Sequence, residues 1–417
     1  MQVTIPRARQ IGPFGRAVAY DRRVIEETGR LSSGGSSRLA GIDVLRGLCV
    51  LLVLLNHIKL RFLLNDLPVQ NALPAGMERV LFWSGHYAVV VFFVISGFLI
   101  TSLSLRRWGG LGSVNVGSFY RMRLARIAPC LLLLLLILTA LNLAGAPDFV
   151  IRPQRASLGR ALLAALTFHV NWLEGHHGYL PGGWDVLWSL SVEETFYLVF
   201  PLAAVLLRSE RLFLLVLGAL VIIGPCNRAL LGDADPLWGY AYFSCTDAIA
   251  FGCIAALAVH RGFLGPRGLR LALATGCVMS LLTIVLCDES ARPGLARFGF
   301  NLTALQLGIA LMLVAFGGGV GSTAMAKGTR WLRIVGRCSY EIYLFHMLIV
   351  LGLIAIVRQL HVTGAFALWY AVMLGGSILS GYLIALGYSE PLNRRIRSAS
   401  GSISGDIRAP AAQLTTD

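Results

Sequence analysis

The sequence predicts an all-α fold: a polytopic integral membrane helix bundle of about ten transmembrane helices, with both termini cytoplasmic. Three observations predict it. Hydrophobic side chains make up 56% of the 417 residues and charged ones only 14%, too apolar for a soluble domain of ordinary composition. The apolar residues gather in runs near the ~20 residues that cross a bilayer. Arginines collect at both tails and in the segments between alternate runs, which is how topology is encoded. The formal net charge of +15 therefore reads as orientation, and nucleic acid is not an expected partner.

Residues 1–41 carry Arg7, Arg9, Arg16, Arg22, Arg23, Arg30 and Arg38 among glycine and serine, and read as a basic, disordered cytoplasmic tail. No small-residue cleavage site precedes the first run, so a cleaved signal peptide is not expected. The spans then fall at about 42–60, 86–105, 124–145, 186–207, 211–227, 238–260, 268–287, 301–320, 334–357 and 365–388. A shorter apolar stretch, 158–172, contains Arg160, His169 and Asn171. If it crossed, the later basic loops and the C-terminal tail would fall outside, so it is expected to lie in the outer face or dip into it. The inside then receives Arg106, Arg107, Arg121, Arg123, Arg208, Arg211, Arg270, Lys327, Arg333, Arg394, Arg395 and Arg397. The outside receives Asp66, Glu78, Asp148, Glu174, Asp233, Asp235, Asp288 and Glu289. The organisation is thus a tail (1–41), a membrane domain (42–389) and a short polar cytoplasmic tail (390–417). The eight cysteines sit mostly inside apolar runs without zinc-like spacing and read as small core residues.

The first run carries two residues that a simple anchor lacks. Arg46 and His57 are eleven positions apart, so they point within about 20° of one helix face and lie ~16 Å apart along the axis. Separately they read as a headgroup anchor and an interfacial polar residue; together they point to a shared cavity. Arg123 and Arg126 are three apart at the start of the third span, as topology determinants or as a bidentate grip on phosphate. In the fourth, "WSLSVEETFYLVFP" sets Ser189, Glu193 and Tyr197 in a polar stripe at i, i+4, i+8, while Glu194 points about 100° away from Glu193. Either glutamate could serve catalysis or bond to a neighbouring span. Asp247 in the sixth span, and Ser339, Tyr343 and His346 on one face of the ninth, complete a set of polar groups that could line a cavity. The loop "NWLEGHHGYLPGGWD" holds Glu174, His176, His177 and Asp185, but adjacent histidines do not readily share one metal, and no metal site is expected. Its Trp172, Tyr179 and Trp184 fit an aromatic belt or a sugar platform.

These motifs, in order, make the chain resemble the bacterial membrane acyltransferase-3 family, whose members move acyl groups, usually acetyl, onto sugars of surface polysaccharides and related acceptors. The likeness rests on "IDVLRGLCVLLVLLNH" with its Arg-x10-His spacing, "FFVISGFLI", "RMRLARIAP", "WSLSVEETFYLVFP", "DAIAFGCIAAL", "SYEIYLFH" and "YSEPLNRR", over roughly residues 40–395. It implies a catalytic His57 with Arg46 as partner, Arg123 and Arg126 serving an acyl-CoA donor, and Glu193 as the glutamate of the fourth-span motif. Many members have a histidine two residues before the tryptophan of "WSL"; here that position is Val186, and that histidine's role does not transfer. The esterase-like extracytoplasmic domain of some members is not expected. The resemblance further implies a multi-pass protein of the bacterial inner membrane with no bound cofactor. Acetyl-CoA would be the donor substrate, the acceptor an exopolysaccharide, O-antigen or glycolipid precursor, and polysaccharide-synthesis machinery a partner. An unperturbed histidine titrates near pH 6.5, so His57 could take a proton from a sugar hydroxyl or be acylated itself. The alternatives are a transporter or flippase, and a noncatalytic partner of a polysaccharide-export complex.

Overall fold

The computed structural model describes residues 40–67, 73–232, 235, 239–286, 299–321, 328–361 and 366–401. Residues 1–39 of the expected N-terminal tail, Asp233, Cys287, Asp288, Glu289, Lys327 and residues 402–417 lie outside them, while Ala40 and Gly41 open the first helix. Regular structure among the described residues is helical, without strands. In chain order the helices are α1 (Ala40–Leu64), α2 (Ala75–Phe82), α3 (Gly85–Trp108), α4 (Val116–Leu143), α5 (Leu158–Leu166), α6 (Val170–His177), α7 (Leu187–Leu207), α8 (Glu210–Leu231), α9 (Tyr242–His260), α10 (Pro266–Leu286), α11 (Phe300–Gly317), α12 (Arg330–Arg337), α13 (Ser339–Gln359), α14 (Phe366–Ile384) and α15 (Glu390–Gly401). A helical turn, Gly182–Asp185, leads into α7 through Val186, and a π-helical turn, Ala385–Ser389, joins α14 to α15.

Among the described residues ten helices are long and apolar enough to cross a membrane: α1, α3, α4, α7 with its leading turn, α8, α9, α10, α11, α13 and α14 continued into α15. The stretch 158–172 folds instead into the short α5 and α6, neither of spanning length. The end of the bundle at which α1 begins is called proximal below, and the other distal.

Local chemistry sets the boundaries. Helix α4 begins eight residues before the apolar run, because the Asn115 side chain caps it by accepting the Ser118 N–H at 2.8 Å. The basic segment "RMRLAR" is therefore helical, and Arg123 and Arg126 sit one turn apart on a rigid element. Ser157 caps α5 in the same way, accepting the Arg160 N–H at 3.2 Å.

Helix α3 is the most deeply buried span, enclosed by α1, α9 and α11. Its crossing with α9 brings backbones into contact: a Cβ on Gly97 would strike the Ile249 carbonyl, and one on Gly252 the Val94 carbonyl. This explains the glycines of "FFVISGFLI" and "DAIAFG", since small residues let membrane helices approach closely where no hydrophobic force draws them together. A second core joins α4–α7 to α13. Helix α1 lies between the two, packed on α3 on one side and on α12, α13 and α14 on the other. The first apolar run thus faces neighbours on several sides, which lets Arg46 and His57 avoid lipid.

Candidate functional site

Where α1, α3, α4, α7 and α13 converge they leave a cavity of about 390 Å³. Its walls carry Arg46 from α1, Ser96 and Arg106 from α3, Arg123 and Arg126 from α4, Ser189, Glu193, Glu194 and Tyr197 from α7, and Tyr340 and Tyr343 from α13. The predicted arginines and the fourth-span stripe thus meet in one place.

Four guanidinium groups face three carboxylates, Glu193, Glu194 and Glu341, of which the last two are paired with arginine. Arg126 forks onto Glu341 at 2.9 and 3.4 Å, and Ser389 donates to the same carboxylate at 2.7 Å. Arg123 lies 3.8 Å from Glu194 and over the Tyr197 ring, 3.5 Å from its centroid. Arg46 and Arg106 make no hydrogen bond or ion pair among the described residues. An excess of positive charge in a low-dielectric pocket attracts an anion, and free guanidinium forks suit phosphate. Glu193 is held differently from Glu194: Ser96 and Tyr197 both donate to its Oε1, Tyr197 at 2.6 Å. The two adjacent glutamates therefore engage different partners, as their 100° separation requires.

His57 does not line this cavity. Its Nδ1 meets Nε2 of the fully buried His346 at 2.8 Å, and the two rings stack at 5.0 Å. Nδ1 of His346 lies 2.6 Å from the Tyr343 carbonyl, which can only accept. The proton on His346 is therefore at Nδ1 and its Nε2 carries a lone pair. That lone pair accepts Nδ1–H of His57, which leaves Nε2 of His57 unprotonated and able to take a proton. Tyr343 links this pair to the cavity, since it lines the cavity wall while its ring stands 5.9 Å from that of His346. Its hydroxyl pairs with Ser189 at 2.7 Å.

Asp247 stands apart from the cavity. It forms a fully buried ion pair with Arg228 of α8 at 2.8 Å, and Arg228 also bonds the Ser244 carbonyl and Thr303. That arrangement ties α8, α9 and α11 together. His176 stacks on Trp172, His177 accepts from Arg160 at 2.8 Å, and no group of three His, Cys, Asp or Glu able to hold a metal ion occurs among the described residues. Five cysteines are buried as expected, but Cys226 and Cys277 face outward from the bundle.

Three residues of this region carried no role in the sequence reading: Ser96, Glu341 and Asp185. The signals were present. Glu341 is a carboxylate in the first turn of an apolar run, and Asp185 extends the Ser189, Glu193, Tyr197 stripe by one turn.

A family model described as an acyltransferase domain matches residues 39–386. O-acetyltransferase OatA of Staphylococcus aureus (strain NCTC 8325 / PS 47) is 24% identical over 341 residues, covering 74% of this chain and 50% of OatA. SACOL0978 of Staphylococcus aureus (strain COL) is 30% identical over 173 residues, covering 40% of this chain and 25% of the relative. The chain thus spans about half the length of OatA or less of its matched relatives. No solved structure matches it. With ten helices of spanning length and a family match over most of its residues, this chain is a multi-pass membrane protein that belongs to the acyltransferase-3 family.

Proposed function

We propose that the protein is an O-acetyltransferase that takes acetyl from acetyl-CoA, on the proximal side, and delivers it to a carbohydrate hydroxyl arriving from the distal side. The observation that carries this reading is a cavity lined by four arginines whose wall residue Tyr343 stands beside the His57–His346 pair. The names of the S. aureus relatives support acetyl as the group moved. Acyl-CoA is rich in phosphate at one end and thin at the other. Its nucleotide suits Arg46, Arg106, Arg123 and Arg126, and its arm can extend past Tyr343 toward His57.

In the transfer step, Nε2 of His57 takes the acceptor hydroxyl's proton as that oxygen attacks the thioester carbonyl carbon. His346 holds the ring in the required tautomer and accepts the stronger Nδ1–H bond of the imidazolium that forms. The Tyr343 hydroxyl, receiving the Ser189 proton, turns its own toward the developing oxyanion. Collapse breaks the carbon–sulfur bond, and the thiolate recovers the proton from His57, leaving CoA and an O-acetyl ester.

The arginine-rich end is the cytoplasmic one in this reading, where the donor is made, and the membrane is the bacterial inner membrane. The test is CoA release from acetyl-CoA by the purified protein in nanodiscs supplied with glycosides as hydroxyl acceptors, measured by mass spectrometry. Wild type is expected to release CoA and His57→Ala to lose at least about 100-fold in rate, the usual span for a general base. Equal rates from the two proteins would contradict the proposal.

A further inference from the structure

Beyond His57 the bundle holds a second polar cluster that the transfer step leaves unused. Arg61 stands one turn past His57 on the same face of α1. Its guanidinium lies against Gly182, where an added Cβ would overlap it, at the start of the turn that ends in Asp185. Asp185 is four residues from Ser189 and eight from Glu193, so the stripe that lines the cavity continues distally to this cluster. Glu174 of α6, only 4% exposed, faces it from the other side.

The polar atoms here are buried yet incompletely bonded. Oε1 of Glu174 accepts the Leu180 N–H at 3.2 Å, while Oε2 has no partner. Oδ1 of Asp185 and Nε of Arg61 are likewise buried and without partners. A buried polar group without a partner is costly, so three together mark a place built to meet polar groups from outside the chain. Burial and the charge of Asp185 push the Glu174 carboxyl well above the usual carboxylate range. Aromatic rings wall the cluster. Tyr240 packs edge-on to Trp188 at 4.3 Å and to Tyr179 at 5.9 Å, and Tyr179 is more than half exposed, at the entry.

We propose that Arg61, Glu174 and Asp185, walled by Tyr179 and Tyr240, form the acceptor subsite beside His57, and that the sugar unit it takes is uncharged. This rests on the acetyltransferase reading and adds the acceptor's chemical class. The protonated Glu174 carboxyl offers an O–H at its unfilled Oε2, Arg61 an unfilled N–H and Asp185 an unfilled acceptor, which match a ring of hydroxyls that both accept and donate. Aromatic faces suit the apolar side of a pyranose. With the Glu174 carboxyl protonated, Asp185 and Arg61 cancel and the subsite holds no net charge, so a uronate or phosphate would meet the Asp185 carboxylate with no unpaired cation to balance it.

The probes are 4-nitrophenyl β-D-glucopyranoside, β-D-galactopyranoside and α-D-mannopyranoside against 4-nitrophenyl β-D-glucuronide, each given with acetyl-CoA to the full-length protein in nanodiscs. Acetylated glycoside and free CoA are both quantified by mass spectrometry. At least one neutral glycoside is expected to be acetylated, at a rate at least about tenfold above the glucuronide. Asp185→Asn, checked for a monodisperse elution profile, should raise the half-saturating concentration of that glycoside about tenfold, the loss of one charged hydrogen bond, and Glu174→Gln, which keeps a neutral donor in place, should raise it less. The half-saturating concentration of acetyl-CoA should not move with it. Wild type accepting the glucuronide as well as the neutral sugars would overturn the proposal without recourse to any variant. So would release of CoA with no glycoside acetylated, an outcome that leaves the donor reading standing. If no CoA is released with any probe, the donor reading fails and this proposal falls with it.

Discussion

At the scale of the residue the proposed chemistry rests on the paired histidines. Because the Tyr343 carbonyl can only accept, the direction of both hydrogen bonds is determined, and in the proposed transfer His346 acts on the acceptor's proton only through His57. A positioning residue of this kind has a characteristic signature. His346→Gln places an amide oxygen where Nε2 stood and should retain more turnover than His346→Leu, which should lose about 10–100-fold in kcat with little change in the acetyl-CoA KM. Equal losses in both variants would reduce His346 to a packing residue. Glu174 gives a test through stability. Its carboxyl is raised by burial and by Asp185, so the folded state binds the proton more tightly than the unfolded state does. Stability is therefore greatest below the ordinary carboxylate pKa of about 4.3 and falls as pH rises above it toward the raised value. Melting curves between pH 5 and 8 should show a fall in wild type that Glu174→Gln flattens. The spacing of Arg46 and His57 was readable because eleven residues on one helix define a face. The bond from His57 to His346 was not, since 289 residues separate them and no single-chain pattern states which spans adjoin.

Two kinds of contact set the geometry at the scale of the element. The α3–α9 crossing depends on Gly97 and Gly252, each against a backbone carbonyl that cannot move aside. Gly252→Leu should lower the melting temperature of the detergent-solubilised protein and reduce its yield, a cost of about 1–3 kcal/mol or more for overpacking. An unchanged melting curve would show that the helices cross elsewhere. The second contact is the fully buried Arg228–Asp247 pair. Sequence alone marked Asp247 as an intramembrane carboxylate and so as a candidate for the cavity. The structure gives it a partner on α8, within a part of the bundle away from the cavity. What was readable was that Asp247 had to be satisfied; whether by substrate or by a neighbouring span depended on packing. Helix α4 illustrates the same limit, because its start is set by the Asn115 cap and not by the edge of the apolar run.

The plan of the whole molecule was legible where it rests on length and periodicity. The ten spanning helices among the described residues follow from counting apolar residues against bilayer thickness, and the stretch at 158–172 was left out of the count by the placing of the basic loops. The cavity was legible only in part: its arginines and its stripe could be named, but their convergence from five helices could not. The proposed orientation has its own check. A green fluorescent protein fused to the C-terminus should fluoresce, and alkaline phosphatase inserted after His177 should be active; the opposite pattern would place the arginine-rich end away from the cytoplasmic donor. The central claim, that this bundle transfers acetyl through His57, is tested most directly in cells deleted for the gene. Wild type and His57→Ala are restored at equal membrane abundance, and alkali-labile acetyl esters on extracted glycans are measured by mass spectrometry. The account predicts an ester lost on deletion, recovered with wild type and still missing with His57→Ala; recovery of the same ester by both proteins would contradict it.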